Sequence, residues 1–131
     1  MHSTDPIKNW ESKTILIAED EESNFKYLQL ALRNTGVNII RAKNGREAIE
    51  KCKNNSHIDL VLMDIKMPEM DGLQATREIR KFADHLPIVA LTAYAMADDK
   101  ETSLEAGCND YISKPVKRNR IFSMLRRYLE K

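Results

Sequence analysis

Short apolar runs alternate with amphipathic stretches along most of the chain. Runs of four or five residues, mostly apolar and bounded by polar or turn-forming residues, are typical of short strands. Five such runs occur, at 15–18, 37–41, 60–63, 88–91 and 109–113. The segment after the first run places Phe25, Leu28 and Leu32 on one helical face, and the last segment does the same with Ile121, Leu125 and Leu129. The pattern therefore predicts strands and helices in strict alternation.

Residues at the segment ends support this division. Asn44, with Glu47 three positions later, resembles a capping box that opens the second helix. Asp71 is placed to cap a third helix, whose predicted apolar positions run as far as Phe82. Gly107 ends a fourth segment, at 95–106, which has few large apolar residues.

Alternating strands and helices predict a parallel sheet with helices on both faces. Strands that are apolar at every position suit a sheet covered on both sides, because half-exposed strands alternate apolar and polar residues. Right-handed crossovers leave few topologies. We therefore expect an α/β fold: a doubly wound, five-stranded parallel sheet of order 2-1-3-4-5 with five helices, as in flavodoxin-like proteins.

Composition excludes several classes of function. The 131 residues include 21 Lys+Arg and 20 Asp+Glu, so the formal charge of +1 gives no support to a nucleic-acid or anionic-membrane surface. No apolar stretch is long enough for a membrane span. Residues 1–13 are mostly polar, show no apolar periodicity apart from a lone Trp10, and lack a signal-peptide core, so we expect a tail or linker before a domain at 14–131. Cys52 and Cys108 are predicted to be buried free thiols, which indicates a cytoplasmic protein.

Polar residues follow the predicted strands at one end. Glu19 and Asp20 follow the first strand, Asp64 the third, Thr92 the fourth and Lys114 the fifth. The carboxyl ends of parallel strands meet at one sheet edge, so these side chains should lie together. Three neighbouring carboxylates repel one another unless a cation joins them, and an all-oxygen set favours Mg²⁺. A carboxylate, a cation, a hydroxyl and an ammonium group together suit phosphoryl transfer. Each residue taken alone has a simpler interpretation, such as a turn acid or a helix cap.

Four motifs carry a family resemblance, namely ILIAEDEESN, VLMDIKMPEMDG, ALTAYA and GCNDYISKP. In order and spacing they resemble the receiver domain of two-component response regulators, from about Thr14 to the C-terminus. The segments ALTAYA and DYISKPV are most similar to receivers of hybrid sensor histidine kinases.

The resemblance implies a phosphorelay role centred on Asp64. Asp64 would accept a phosphoryl group from a phosphohistidine on a partner histidine kinase or histidine phosphotransfer protein. Asp20, Glu19, Asp64 and the backbone carbonyl of Lys66 would hold Mg²⁺. Glu19 departs mildly from the family pattern, in which Asp is commoner, so its metal contact could be direct or through water.

The resemblance also implies a conformational switch. Thr92 and Lys114 would each contact a phosphoryl oxygen, Tyr111 would change rotamer with Thr92, and the bond from Lys114 to Pro115 would be cis. The reshaped face would comprise the fourth helix, fifth strand and fifth helix, through which some receivers form homodimers. Lys66 and Tyr94 lie two residues beyond Asp64 and Thr92, beside the path of an attacking water, and we expect them to slow loss of the phosphoryl group.

Two alternative functions stay open. The first is a phosphorylation-independent interaction module, or pseudo-receiver, against which the full residue set argues. The second is a phosphatase of the haloacid-dehalogenase kind, with an aspartyl-phosphate intermediate. Such enzymes need a second Asp two residues after the nucleophile, where this chain has Lys66. We therefore expect a phosphoacceptor domain that catalyses its own phosphoryl transfer and dephosphorylation, not an enzyme acting on external substrates. A dinucleotide-binding site is excluded because no Gly-x-Gly-x-x-Gly follows the first strand.

Overall fold

Five β-α units in sequence make up the fold. The computed structural model describes residues 10–93 and 97–130, with the backbone alone for residues 97–99. The strands are β1 (Thr14–Ala18), β2 (Asn38–Ala42), β3 (Leu60–Asp64), β4 (Ile88–Thr92) and β5 (Asp110–Ser113). The helices are α1 (Glu22–Ala31), α2 (Gly45–Asn54), α3 (Gly72–Arg80), α4 (Ala97–Ala106) and α5 (Arg118–Leu129).

The strands form one parallel sheet in the order β2-β1-β3-β4-β5, which confirms the predicted topology. Strands β1, β3 and β4 lie inside the sheet and are buried at every position. The edge strands β2 and β5 are partly exposed. This difference explains why the inner strands have continuous apolar runs and the edge strands have weaker ones.

Two apolar layers cover the sheet, one on each face. Successive side chains of a strand point to opposite faces, so Ile15 and Ile17 join one layer and Leu16 joins the other. The first layer includes the apolar faces of α1 and α5, and the second those of α2 and α3. The predicted core positions of the first and last helices, Phe25, Leu28, Leu32, Ile121, Leu125 and Leu129, are all buried in the first layer.

The third helix is shorter than its apolar spacing predicts. α3 ends at Arg80, and Phe82, expected on its buried face, lies beyond the helix and is 43% exposed. The ammonium group of Lys53 lies 5.6 Å from the centroid of the Phe82 ring. The prediction for Phe82 was wrong because the helical spacing of apolar residues continues in the sequence beyond Arg80, where the helix ends.

Trp10, which the sequence placed in the predicted tail, belongs to the core. Its side chain is 4% exposed and meets the ring of Phe122 edge-on, with 6.3 Å between centroids. Its indole N–H donates to Glu130 (3.1 Å), and its backbone N–H donates to the carbonyl of Thr35 (2.8 Å). Residues 1–9 lie outside the described part of the chain, and the domain boundary itself stays a prediction.

The two cysteines are buried and unbridged, as expected. Burial raises the pKa of the Cys52 thiol to about 11 and raises that of Cys108 as well. Among the residues described, no helix combines the length and apolarity that crossing a membrane requires.

Candidate functional site

The polar residues that follow the strands converge at one edge of the sheet, as predicted. Asp64 ends β3, Thr92 ends β4, and Glu19 and Asp20 follow β1. Oxygen atoms of the Glu19, Asp20 and Asp64 carboxylates lie within 4.8 Å of one another. The ammonium group of Lys114, one residue after β5, lies 3.1 Å from Asp64 Oδ1 and 3.6 Å from Glu19 Oε1.

Glu19 is buried, and its carboxyl group has a raised pKa. Its side chain is 1% exposed, and burial, with a smaller contribution from the charge of Asp64, raises its pKa to about 7. A hydrogen bond from the Glu21 backbone N–H to Glu19 Oε2 (3.1 Å) and the charge of Lys114 act in the opposite direction. Burial lowers the pKa of Lys114, but attraction to Asp64 and Glu19 outweighs it and leaves that pKa raised.

The acidic cluster fits a magnesium ion by its chemistry. Glu19 Oε1 is buried and has no hydrogen-bond partner among the described residues, so it has unused capacity to bind a cation. Oxygen ligands of one octahedral Mg²⁺ lie at 2.0–2.1 Å from the ion, hence about 3 to 4 Å from one another. The observed separations of up to 4.8 Å therefore need only small side-chain adjustments.

The acids after β1 do not cap the following helix. Glu21 occupies the N-cap position of α1 and makes no capping hydrogen bond through its side chain. Glu19 instead accepts the Glu21 backbone N–H through its own carboxylate. The structure thus places Glu21, and neither Glu19 nor Asp20, at the N-cap of α1, and the carboxylates of Glu19 and Asp20 belong to the acidic cluster.

Thr92 lies at the end of β4, next to a small cavity. Its side chain is 2% exposed, and its hydroxyl has no hydrogen-bond partner among the described residues. The cavity, about 140 Å³ in volume, also has Lys66, Leu73 and Ser103 in its lining. The hydroxyl thus has room to move toward a new acceptor.

The other residues singled out from the sequence lie around this edge. Tyr111 is half-buried on β5, and the ammonium group of Lys100 lies 5.8 Å from its ring centroid. The bond from Lys114 to Pro115 is cis, as the resemblance implied. The exposed Lys66 donates its backbone N–H to Asp64 Oδ1 (3.3 Å). Tyr94 lies outside the described residues.

Gly72 allows the β3–α3 loop to pack closely against the reactive edge. A Cβ atom at Gly72 would lie 2.2 Å from the carbonyl oxygen of Asp64, so only glycine fits there. The Gly72 N–H donates to the carbonyl of Ile65 (2.9 Å) and closes the loop. Asp71 caps α3 in a complete capping box with Gln74, which confirms the predicted cap.

The start of α2 holds the same loop from the other side, a contact that the sequence did not predict. Asn44 accepts the Glu47 N–H, as expected, and also donates to the Glu69 carboxylate (3.0 Å). The Gly45 N–H donates to the carbonyl of Met70 (3.1 Å), and a Cβ at Gly45 would lie 2.3 Å from that oxygen. The only sequence signal was the Asn-Gly pair, which by itself indicates a cap or a turn.

Comparisons with known proteins identify the family to which this fold belongs. Residues 15–126 match the family model of the response regulator receiver domain. The polar-differentiation response regulator DivK of Brucella ovis is 37% identical over 120 residues, which cover 90% of this chain and 97% of DivK.

Solved receiver domains are also similar. The receiver domain of the sensor histidine kinase PA1611 from Pseudomonas aeruginosa, with magnesium coordinated in its active-site cleft, has a TM-score of 0.84 and 36% identity. That match covers 92% of this chain and 99% of the other. A chain in the co-crystal structure of the Saccharomyces cerevisiae histidine phosphotransfer protein Ypd1 with the receiver domain of Ssk1 has a TM-score of 0.84 and 32% identity, covering 89% of this chain and 88% of that one. The chain therefore belongs to the response regulator receiver family, the phosphoacceptor switch domains of two-component signalling systems.

Proposed function

We propose that Asp64 is the phosphoacceptor and that it takes its phosphoryl group from a phosphohistidine on a histidine kinase or histidine phosphotransfer protein. The observation that carries the proposal is the environment of Asp64: a buried carboxylate between two further acids and the ammonium group of Lys114. This set provides a nucleophile, a cation site and a fixed positive charge within a few ångströms.

In the transfer step, a carboxylate oxygen of Asp64 forms a bond to phosphorus as the bond from phosphorus to the histidine nitrogen breaks. The electron pair of that bond stays on the imidazole. Lys114, now 3.1 Å from Asp64 Oδ1, would pair with a phosphoryl oxygen as negative charge redistributes. Its raised pKa keeps the ammonium form at neutral pH.

Mg²⁺ would be held by Glu19, Asp20, Asp64 and the backbone carbonyl of Lys66. The ion supplies positive charge that offsets the repulsion between the carboxylates and the incoming phosphoryl oxygens. Glu19 Oε1 supports this assignment, because this buried oxygen accepts no hydrogen bond from the described residues and the Lys114 ammonium group, at 3.6 Å, lies beyond hydrogen-bond distance.

Thr92 and Tyr111 would transmit the event to the surface. The unpartnered Thr92 hydroxyl would donate a hydrogen bond to a phosphoryl oxygen, and Tyr111 would occupy the space vacated as Thr92 moves. The face formed by α4, β5 and α5 would then change its contacts with a downstream partner. The predicted homodimer would use the same face.

Lys66 and Tyr94 would set the lifetime of the phosphoryl group. Lys66 is exposed two residues beyond Asp64, where its side chain could contact the phosphoryl group and obstruct an attacking water.

We also propose that the protein works in the cytoplasm. Cys52 and Cys108 are buried free thiols, and thiols stay reduced in that compartment.

Incubation with acetyl phosphate and Mg²⁺ tests the proposal, with intact-protein mass spectrometry as the readout. We expect one phosphoryl group per chain, no adduct in EDTA, and none in an Asp64→Asn variant. Equal labelling of the variant would refute the assignment of Asp64. A parent protein that neither binds Mg²⁺ nor takes up a phosphoryl group would favour a pseudo-receiver, and rapid sustained hydrolysis of phosphomonoesters would favour a phosphatase.

A further inference from the structure

We propose that Arg41 is a positioning residue of the magnesium site, holding the backbone that carries Glu19 and Asp20. The inference rests on the proposed metal site and concerns how this chain keeps that site in shape. Arg41 lies on the edge strand β2, and the sequence alone gave no reason to single it out.

The guanidinium group of Arg41 joins three parts of the fold. Its Nε and Nη2 both donate to the carbonyl oxygen of Glu19, at 3.3 and 3.1 Å, and Nη2 also approaches that of Asp20 at 3.4 Å. Its Nη1 pairs with the carboxylate of Glu22 in the first turn of α1. Its central carbon lies 4.5 Å from the centroid of the Phe25 ring. One side chain thus bridges β2, the loop after β1 and α1.

These contacts hold both backbone groups of Glu19. The Glu19 N–H donates to the carbonyl of Ala42 in β2 (2.9 Å), and the Glu19 carbonyl accepts from Arg41. Glu19, the first residue after β1, is therefore bound to β2 through both its N–H and its carbonyl group. The direction of the Glu19 side chain depends on this anchoring, and so does that of the adjacent Asp20.

The chemistry of arginine suits this position. The Arg41 side chain is only 15% exposed, so its hydrogen bonds are partly shielded from water. The planar guanidinium presents several donors in a rigid fork, which can reach two carbonyls and a carboxylate at once. A lysine would keep the charge but not the fork, since its ammonium group is a compact point charge.

The direction in which Mg²⁺ affinity changes distinguishes a positioning role of Arg41 from an effect of its charge. A positive side chain near a Mg²⁺ site repels the ion, so by charge alone the loss of Arg41 should tighten Mg²⁺ binding. If Arg41 acts by holding the loop, its loss should weaken binding instead. A lysine at this position should weaken binding too, although the charge is unchanged.

The test compares Arg41→Lys, Arg41→Met and, as a matched control, Glu22→Gln, which removes the ion pair but keeps the carbonyl contacts. Mg²⁺ affinity is measured by isothermal titration calorimetry at physiological salt, after circular dichroism has confirmed folding. We expect both Arg41 variants to raise the Mg²⁺ dissociation constant about tenfold, as is usual when outer partners of metal ligands are removed. The control should change it less than about twofold, since it leaves the bonds to Glu19 and Asp20 in place.

A second readout uses the metal-free protein. Amide hydrogen exchange at Glu19 and Glu21 should be faster in both Arg41 variants than in the parent and in Glu22→Gln. Mg²⁺ binding by Arg41→Met equal to or tighter than that of the parent would overturn the inference, and so would an Arg41→Lys variant identical to the control. If the parent itself shows no Mg²⁺ binding that depends on Asp64, the proposed function fails as well, and the two failures are distinguishable.

Discussion

Replacing Glu19 by Gln should stabilise the metal-free protein at alkaline pH. The folded chain buries the Glu19 carboxylate next to Asp64 and raises its pKa to about 7, against an ordinary value of 4.5. A glutamine has a similar shape and can still accept the Glu21 backbone N–H through its side-chain oxygen. It carries no charge, so the cost of burying a carboxylate disappears.

The magnitude follows from the two pKa values. Between pH 4.5 and pH 7 the folded state holds a proton on Glu19 that the unfolded state has lost, so the free energy of unfolding falls as pH rises. Above pH 7 Glu19 is ionised in both the folded and the unfolded state. Burying its carboxylate then lowers the free energy of unfolding by the full amount, about 3 kcal/mol. The contact between Glu19 and Lys114 is already included in the raised pKa.

Urea unfolding in EDTA measures this effect by circular dichroism. At about pH 8 we expect Glu19→Gln to exceed the parent in free energy of unfolding by about 3 kcal/mol. At pH 4.5 most of the difference should disappear, since the parent carboxyl is then largely protonated when folded. With excess Mg²⁺ at pH 8 the parent should gain stability and the variant much less. A variant equal to or less stable than the parent in EDTA at pH 8, or a difference independent of pH, would refute the electrostatic account of Glu19.

Three further predictions concern other parts of the molecule. Gly45→Ala should lower the free energy of unfolding by about 1–3 kcal/mol in urea titrations, because its Cβ would collide with a backbone carbonyl; an unchanged midpoint would contradict the close packing. Trp10→Ala should lower the free energy of unfolding by about 3–5 kcal/mol in the same assay, because Trp10 is buried in the core; almost no change would show that Trp10 belongs to an unpacked tail. The phosphorylated parent should lose its phosphoryl group more slowly than a Lys66→Asn/Tyr94→Glu variant, measured by mass spectrometry over time; an equal or faster loss would exclude the proposed obstruction of water.

The sequence predicted the inner part of the fold well because burial there is complete. Strands β1, β3 and β4 are buried at every position, so their apolar runs have clear limits. Strand ends were less predictable everywhere. The inner strands each extend one residue beyond the predicted apolar run, to Thr14, Asp64 and Thr92, and the edge strands β2 and β5 each begin one residue later than predicted. Phe82 and Trp10 were misplaced for a related reason: neither helical spacing nor an isolated aromatic residue specifies which tertiary surface a side chain meets.

The site was predictable as far as topology determines it. Residues at the carboxyl ends of parallel strands must meet, and Glu19, Asp64 and Lys114 do so. The contacts that hold this edge in shape, from Arg41 to the loop after β1 and from Gly45 to the loop after β3, could not be predicted. They join residues on separate elements, and no periodic pattern in the sequence relates these residues. The contacts form only when the folded chain brings the elements together.

The most direct test of the central claim is to map the phosphorylated residue chemically. The protein is incubated with acetyl phosphate and Mg²⁺, treated with borohydride, which reduces an aspartyl phosphate to homoserine, and digested for peptide mass spectrometry. The account predicts homoserine at position 64, with no conversion in EDTA. Conversion at another acidic residue, or the same yield without Mg²⁺, would contradict it.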